Sequence, residues 1–365
     1  MSDVKYWVGF SMISGIGQVK FGRIMDHFGD LQEAWHAGRS NLQAAGLEDR
    51  LVNNILNRRR SIDLDEEMEK LDRFGVHVLP QNDPSFPPRL KEIYDAPYVL
   101  YVKGHLTDED ESALTVVGTR RTTTYGREVT ERLVTDLVQN GMTIVSGLAR
   151  GIDTIAHRKA LAAGGRTIAV FACGLDTIYP AENRELAQEI ARNGALVSDY
   201  PLGTRPRAEN FPRRNRIVSG LSLGTLVTEA SERSGALITA NLALQQDREV
   251  FAVPGSIFSA ASSGTNSMIK AGAKLVADVN DILEELNLST YPRQMEFAEL
   301  VPESDTESLL LKHLSQEPLH VDELSHRCSL PISVVSSTLT MMELKGMVNQ
   351  LGNMNYVIAR GVKTS

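Results

Sequence analysis

Short apolar runs alternate with helical stretches between residues 114 and 276, and this alternation restricts the possible fold more than any other feature of the sequence. Because the runs are apolar at consecutive positions, both of their faces are predicted to be buried. Buried strands that alternate with helices form a parallel sheet covered on two sides. We therefore predict an α/β fold with a Rossmann-like, doubly wound parallel sheet. The predicted strands are Leu114–Val117, Thr143–Val145, Thr167–Phe171, Ala195–Val197, Gly224–Val227, Val250–Val253 and Lys274–Val276, and the predicted helices include Arg127–Gln139, Ile152–Ala163, Glu185–Arg192 and Ala236–Gln245.

The first 75 residues contain short helical patterns without a strand-like run, which predicts a helical domain over residues 1–75. Within it, Ser14-Gly15-Ile16-Gly17 stands between two apolar helices, and its glycines suit a tight turn. The pattern resembles a helix-hairpin-helix, and a weaker copy at Ala45-Gly46-Leu47 is typical of small helical folds similar to SAM domains. Such a hairpin can hold a phosphate on its backbone amides. Because a short glycine motif is a weak signal, a packing role is the favoured interpretation.

Prolines mark both ends of the sheet domain. Asp83-Pro84 and Phe86-Pro87-Pro88 favour extended backbone, so a strand-rich extension over residues 76 to 110, rather than a helix, is expected before the alternating strands. The Rossmann-like domain is predicted to cover residues 76–287. A polar tract with Tyr291-Pro292 and Val301-Pro302 predicts a linker over residues 288–303.

A winged-helix domain is predicted over residues 304–361. Helices are expected at Leu309–Leu314, from Val321 to His326 and from Pro331 to Leu344, with Gly346 ending the third helix. Strands at Met347–Leu351 and Tyr356–Ala359 flank a turn at Gly352-Asn353. A helix that reads duplex DNA usually carries arginine or lysine, whereas the third helix has no basic residue. We therefore expect a protein–protein or regulatory role for this domain.

Glycine and arginine are concentrated directly after the predicted strands. Ligands of open parallel sheets bind beyond the carboxyl ends of the strands, so these loops form the candidate site. Their glycines allow backbone amides to approach an anion, and the following helix N-termini add a favourable dipole. A single loop of this kind is equally compatible with a tight turn that binds nothing, but four loops favour a phosphate site. The loops are Gly118-Thr119-Arg120-Arg121, Ser146-Gly147-Leu148-Ala149-Arg150-Gly151, Gly174-Leu175-Asp176 and Pro254-Gly255-Ser256.

Residues 205–216 contain five arginines and one glutamate in a chain whose formal net charge is -8. Guanidinium groups bind phosphate through a planar fork, and Phe211 among them offers a face for base stacking. The alternative is a solvated charge run. The pattern favours a phosphate or nucleic-acid site, which must be local because the average field of an acidic protein repels phosphate.

An enzyme that acts on nucleotides is the alternative from another class. Neither GxxxxGK[ST] nor GxGxxG is present after the first strand. Asp153 and His157, four residues apart, could form an acid–base pair, and Glu229 follows the fifth strand. A structural role for Asp153, at a helix N-terminus with His157 bonded to it, is the favoured interpretation. Ser234 is predicted to cap the helix that follows it.

Cys173 and Cys328 lack the spacing of a disulfide framework or a zinc site, so no metal is predicted. No apolar stretch approaches the roughly 20 residues of a membrane span. We expect a cytoplasmic protein without cofactors.

Taken together, these motifs closely resemble the DprA family of bacterial proteins, also called Smf or DNA-processing protein A. The likeness covers most of the chain, with Thr119 standing where the family more often has serine. The motifs that carry it are Asp83-Pro84 with Phe86-Pro87 and Leu90, Tyr98 to Gly104, Val117 to Arg121 with Tyr125-Gly126, Ser146 to Asp153 with Ala156-His157, Gly174-Leu175-Asp176 with Tyr179-Pro180 and Asn183, Phe211 to Arg216, Ser234 to Thr239, and Pro254-Gly255-Ser256.

The resemblance implies a protein without enzymatic activity that binds single-stranded DNA on the Rossmann-like domain and dimerises through it. It also implies loading of the RecA recombinase onto DNA taken up in natural transformation. The residues that it assigns to DNA binding are Gly118, Thr119, Arg120, Arg121, Gly147, Gly174, Tyr179, Asn183, Phe211, Arg213, Arg214, Asn215, Arg216, Ser234, Gly235 and Gly255. Arg213, Arg214 and Arg216 are expected to act either as DNA contacts or as supports of the pocket.

Two other functions compete with this one. Related Rossmann-like proteins cleave nucleotides at the ribose bond, but the PGGxGT signature of those hydrolases is replaced here by Pro254-Gly255-Ser256-Ile257. Pure scaffolding through the terminal domains would leave the arginine cluster unexplained.

Overall fold

The structure is a computed structural model that describes residues 4–288, 304–315, 318–345, 347–350 and 354–358. The chain forms two compact units, of which the first ends at Leu288 and the second begins at Ser289. The predicted linker, apart from its first residue, lies outside the described residues. The domain boundaries expected at residues 75 and 303 stay predictions.

The first unit begins with helices that pack around aromatic side chains. The turn between the first two contains Gly15 at a left-handed φ of 97°, as expected for a hairpin. Phe10 packs edge-on against Trp35, with 5.2 Å between ring centroids. Phe21 stacks on Tyr98 at 4.0 Å, which joins the helices to the sheet. The helices are α1 (Val4–Ser11), α2 (Gln18–Phe28), α3 (Leu31–His36), α4 (Arg39–Ala44), α5 (Asp49–Arg58) and α6 (Leu64–Phe74).

A nine-stranded sheet forms the centre of the first unit. Its strands are β1 (His77–Pro80), β2 (Val99–Gly104), β3 (Ala113–Val117), β4 (Thr143–Ser146), β5 (Thr167–Val170), β6 (Ala195–Ser198), β7 (Gly224–Val227), β8 (Glu249–Ala252) and β9 (Lys274–Leu275). The order across the sheet is β1-β2-β6-β5-β4-β3-β7-β8-β9. Strands β3 to β9 are parallel, and β2 pairs antiparallel with both β1 and β6. The seven predicted strands are all present, with ends shifted by at most one residue.

Helices cover both faces of the sheet. They are α7 (Pro88–Glu92), α8 (Thr124–Gln139), α9 (Ile152–Ala162), α10 (Arg184–Asn193), α11 (Asn210–Gly220), α12 (Ala236–Gln245), α13 (Ser263–Lys270) and α14 (Asn280–Glu285). Leu114 and Val116 of β3 pack with α8 and α9, whereas Ala113 and Val117 pack with α11 and α12. This alternation follows from the two-residue period of a strand. The structure confirms the predicted Rossmann-like fold.

Helices α7 and α11 of the first unit were not predicted. Residues 76 to 110 contain β1 and β2, in line with the strand-rich extension, but also the five-residue helix α7, which begins at Pro88, a position where the helix needs no backbone donor. The end of the arginine-rich segment forms α11, with Pro212 in the first turn. Proline is tolerated there for the same reason.

The described residues of the second unit form three helices and a three-stranded sheet. These are α15 (Asp305–His313), β10 (Leu319–His320), α16 (Val321–Cys328), α17 (Ile332–Leu344), β11 (Val348–Gln350) and β12 (Asn355–Ile358), with the strand order β10-β12-β11. Leu310, Leu324 and Leu339 are fully buried in its core. The arrangement agrees with the predicted winged helix, and β10 is an additional strand. Gly346 and the turn at Gly352-Asn353 lie outside the described residues.

Within the described part of the chain, no helix combines the length and the apolar character needed to cross a membrane.

Candidate nucleic-acid interface

The carboxyl ends of β3 and β7 lie side by side at the centre of the sheet. The chain leaves β3 towards α8 on one face and leaves β7 towards α12 on the other face. Where neighbouring connections diverge in this way, a crevice opens at the sheet edge. The crevice is a cavity of about 720 Å³ that we call the switch pocket. Its lining includes Gly118, Thr119, Arg120, Arg121, Gly147, Asp153, Tyr179, Pro206, Ala208, Phe211, Arg214, Asn215, Ser231, Ser234, Gly235, Ala236 and Ile238.

The switch pocket brings together most of the residues assigned to DNA binding. Eleven of the sixteen line it: Gly118, Thr119, Arg120, Arg121, Gly147, Tyr179, Phe211, Arg214, Asn215, Ser234 and Gly235. Gly174, Asn183, Arg213, Arg216 and Gly255 lie outside its lining. The structure therefore does not place these five residues in the cavity itself.

Arg120, Phe211 and Tyr179 form the accessible part of the pocket. The guanidinium carbon of Arg120 lies 5.8 Å from the centroid of the Phe211 ring. That ring in turn lies 5.5 Å from the ring of Tyr179, whose residue is 50% exposed. Arg120 is exposed and, among the described residues, has no ion-pair partner. A cation beside one of two neighbouring aromatic rings can contact a phosphate while the rings stack a base at the same site.

Glycine is required in two of the loops because protein atoms fill the space beside it. A Cβ added at Gly147 would lie 2.5 Å from Nη2 of Arg214 and 2.9 Å from Oδ2 of Asp153. Gly151 has a φ of 80°, and a Cβ there would overlap the carbonyl oxygen of Thr119. The backbone N–H of Gly147 donates to Asp153 at 3.1 Å. These glycines therefore hold loops against each other, and the amide of Gly147 is not available to an anion.

Arg214 lies inside the wall of the pocket and is only 4% exposed. Its guanidinium donates to the carbonyl of Gly147 at 2.9 Å and to the carbonyl of Val170, which links the carboxyl ends of β4 and β5. Burial lowers the pKa of Arg214 and raises that of Asp153, while the two opposite charges favour each other's ionised form. Arg214 therefore fits the pocket-support role that the sequence left open.

Arg213 and Arg216 point away from the switch pocket and line a different groove. Arg216 forms ion pairs with Asp199 at 2.8 Å and with Asp95 at 3.1 Å. Arg213 is exposed. The spacing of residues on a helix explains the division, since positions 213 and 216 share a face that excludes Phe211.

The other three assigned residues make local contacts. Asn183 is buried and donates to the carbonyl of Leu148 at 3.0 Å, so it supports the loop after β4. Asn183 also lines a neighbouring depression that contains Arg120, Arg158 and Lys159. The N–H of Gly174 donates to Thr204, and the N–H of Gly255 donates to the side chain of Asn266.

The candidate catalytic groups are held in structural roles. His157 is fully buried, and burial lowers its pKa to about 3. Its Nδ1 bonds at 2.7 Å to the hydroxyl of Thr167, and that hydroxyl donates to the carbonyl of Ile144. Because the Thr167 hydroxyl gives its proton to Ile144, Nδ1 of His157 is the donor in the bond to Thr167. This bond takes the place of the predicted bond between His157 and Asp153. The carboxylate of Glu229 is also buried and accepts from the N–H and the hydroxyl of Thr123.

The start of α12 forms another wall of the pocket. The helix begins at Ala236, as predicted, but Gly235 rather than Ser234 occupies the N-cap position. The hydroxyl of Ser234 still accepts from the N–H of Ala236 at 3.3 Å. The first-turn amides of a helix have no partners within it, so this end favours an anion. Ile238, 43% exposed in the same wall, was missed because an isoleucine in a helix is normally a core residue.

Within the described residues, no group of three or more histidine, cysteine, aspartate or glutamate side chains is arranged to hold a metal ion.

The fold and the pocket define a Rossmann-like protein with a glycine- and arginine-lined cavity at the switch point of its sheet. Comparison with known proteins identifies the family. The family model described as DNA recombination-mediator protein A matches residues 77–287, and that of the DprA winged helix domain matches residues 298–354. This chain belongs to the DprA family, also called Smf.

Several relatives match over long stretches. Protein Smf of Synechocystis sp. is 34% identical over an alignment of 392 positions, which spans 97% of this chain and 98% of that protein. DNA processing protein DprA of Bacillus subtilis is 46% identical over 213 residues, which cover 58% of this chain and 72% of that protein. The X-ray structure of DprA from Streptococcus pneumoniae covers 77% of this chain and 97% of its own, with 35% identity and a TM-score of 0.69.

Proposed function

We propose that this protein binds single-stranded DNA in the switch pocket and acts as a recombination mediator. In this role it protects incoming DNA and loads the RecA recombinase during natural transformation. The observation that carries the proposal is the cluster of Arg120, Phe211 and Tyr179 at the mouth of the pocket. Charge combined with aromatic faces suits a ligand that presents both a backbone phosphate and an unpaired base.

A solved relative supports the choice of ligand. The structure of DNA processing protein A from Helicobacter pylori, described for its single-stranded DNA binding mode, is 32% identical and has a TM-score of 0.53. It covers 59% of this chain and 97% of its own. By analogy we assign single-stranded DNA to the same domain here.

The other elements of the proposal follow from the family resemblance. We assign a homodimer through the Rossmann-like domain, the RecA recombinase as partner and a cytoplasmic location. In support of the dimer, β9 is an edge strand of the described sheet and exposes Leu275. Light scattering on the purified protein would give twice the mass of one chain.

We further propose that the protein is not an enzyme and needs no cofactor. His157 is buried and held by Thr167, and Glu229 is bonded to Thr123, so neither is free for acid–base chemistry. Release of free base from AMP, above the level of a heat-denatured control, would contradict this and favour the nucleotide-processing alternative.

The first test is fluorescence polarisation of a labelled oligothymidine and of a duplex of the same length. We expect clearly tighter binding of the single strand, with an affinity that falls with salt at a slope of about -3, or about -0.7 for each phosphate neutralised. A slope near zero would contradict the electrostatic contact.

The matched variants are Arg120→Ala and Arg132→Ala. Both remove an exposed arginine, but only Arg120 lines the switch pocket. We expect Arg120→Ala to weaken oligothymidine binding by more than about 1 kcal/mol, because a hydrogen bond to a charged group contributes about 1.5 to 3 kcal/mol. Arg132→Ala should bind as the wild type does. Equal binding by all three proteins would exclude the switch pocket as the site.

A further inference from the structure

The arginine-rich segment has two sides, and only one of them faces the switch pocket. Pro206 and Ala208 line the pocket, whereas Arg205 and Arg207 line a groove on the other side. Proline at 206 favours extended backbone for Arg205, and side chains alternate along such a chain. The sides stay separate into α11, where Arg213 faces the groove. Four of the five arginines predicted for one phosphate site therefore line this groove instead, and one of them, Arg216, is paired with aspartates there.

The groove is a cavity of about 1010 Å³ between this segment and the turn that joins α1 and α2. We call it the hairpin groove. Its remaining walls come from residues 95–99 and 199–204. All of these walls belong to the first unit of the chain, and the stacked rings of Phe21 and Tyr98 join α2 to the wall formed by residues 95–99.

The charges of the hairpin groove are only partly neutralised. Asp95 and Asp199 are both paired with Arg216. Arg207 lies 3.8 Å from Glu209, but both side chains are mostly exposed, and pairs of this kind contribute little. Arg205 and Arg213 are exposed and have no ion-pair partner among the described residues. The groove therefore presents uncompensated positive charge in a chain with a formal charge of -8.

We propose that the hairpin groove binds a second stretch of the phosphate backbone of the same single strand. This inference rests on the proposed function of the switch pocket. Residues 205–213 form a wall of both cavities, so a flexible strand that leaves one can cross the segment and enter the other. Arg205, Arg207 and Arg213 then contact phosphates, and the half-buried Tyr200 lies in the same groove.

The test separates the two cavities by the length of the ligand. Oligothymidines of increasing length, from about 4 to about 16 nucleotides, span the usual range of single-strand site sizes. The wild type should gain affinity in two steps, as the switch pocket and then the hairpin groove are filled. The triple variant R205S/R207S/R213S should lose the second step, by about tenfold, and keep the first. Its salt slope on the longest oligonucleotide should be smaller by about 2, since each phosphate contributes about 0.7.

A matched control removes three other exposed arginines, as R73S/R132S/R192S, with the same change in net charge. Arg192, for example, lines a separate depression with Gly104 and His105, next to the amino end of β6 and not at the carboxyl edge of the sheet. The control should bind every length as the wild type does.

Three results would overturn the inference. The triple variant could retain the second gain in affinity, which would show that the groove arginines do not bind the strand. It could also lose both gains equally, which would mean that Arg205, Arg207 and Arg213 act in the switch pocket. Polyglutamate could remove the second step at the same charge concentration as oligothymidine, which would indicate an acidic protein ligand. If the wild type binds no short oligothymidine, the proposed function itself fails and the groove assignment fails with it.

Discussion

At the scale of single residues, arginines that were predicted for the same site have different roles. Arg120 is exposed beside an aromatic ring, Arg214 is buried in the wall, and Arg216 is paired with two aspartates. The sequence predicted that arginines would cluster near the sheet edge. It could not predict which would face a ligand, because that depends on the rotation of α11 against β5 and on partners distant in sequence.

The buried position of Arg214 predicts a loss of stability. In Arg214→Met, the carbonyls of Gly147 and Val170 lose their donor and Asp153 loses a nearby positive charge. We expect a decrease of about 3 to 5 kcal/mol in the free energy of unfolding, measured by urea denaturation.

Asp153→Asn provides the partner variant, since the amide oxygen can still accept from Gly147 and Ala149. The double variant should lose less unfolding free energy than the two single variants lose in sum, by at least about 1 kcal/mol. Simple additivity would mean that the two charges do not interact.

His157 predicts a pH dependence of stability. Its pKa is about 3 in the folded protein, while that of an unfolded histidine is about 6.5. The unfolded state therefore binds more protons between these values, so the stabilisation is present above pH 6.5 and is lost as the pH falls towards 3.

The measurement compares wild type with His157→Asn by urea denaturation between pH 6.5 and pH 5. The free energy of unfolding of the wild type should fall more steeply, by about 1.4 kcal/mol for each pH unit. Parallel curves would show that His157 is solvated or protonated in the folded state.

At the scale of elements, the parallel strands were predictable because they are buried on both faces and read as continuous apolar runs. The elements that sequence missed bury small or polar side chains instead. Helix α11 buries Asn210, Arg214, Ser219 and Gly220 beside only two apolar residues, Ile217 and Val218, and α13 buries Gly264 and Thr265. Neither helix shows the apolar stripe from which helices are recognised. The antiparallel strand β1 was not placed individually, since four residues carry too little pattern.

The junction of α9 with the loop after β3 gives a prediction for one element. Gly151, the N-cap of α9, has φ 80° and ψ -128°, and an added Cβ would lie 2.7 Å from the Cα of Arg120. Gly151→Ala should destabilise the protein by more than about 2 kcal/mol and displace Arg120, which weakens oligothymidine binding.

Gly164→Ala is the control, because Gly164 also has a positive φ, 76°, but no atom within 4 Å of an added Cβ. It should cost about 1 kcal/mol of stability and leave binding unchanged. Loss of binding in both variants would remove the specific link between Gly151 and the site.

At the scale of the whole molecule, the charge is unevenly distributed. The chain is acidic overall, yet Arg120 and Arg121 line one cavity and Arg205, Arg207 and Arg213 line another, all within the first unit. In the second unit, α17 carries no arginine or lysine. Removal of residues 289–365 should therefore leave the affinity for oligothymidine within about twofold of the full chain, with the same salt slope. Polarisation titrations would check this, and a drop of tenfold or more would place a DNA contact in the second unit.

Arg214 joins the ends of two neighbouring strands from within, so the cavity already has its shape before a ligand arrives. Association then requires little ordering of the protein, and the entropic cost falls on the flexible polynucleotide. The bases of a thymidine tract stack poorly with one another, so little stacking enthalpy is lost when the tract binds in the cavity. The bases of an adenine tract must first be unstacked, which costs enthalpy. Calorimetry should therefore find a less exothermic reaction with oligoadenine than with oligothymidine, a discrimination between bases that arises in the ligand and needs no base-specific hydrogen bond.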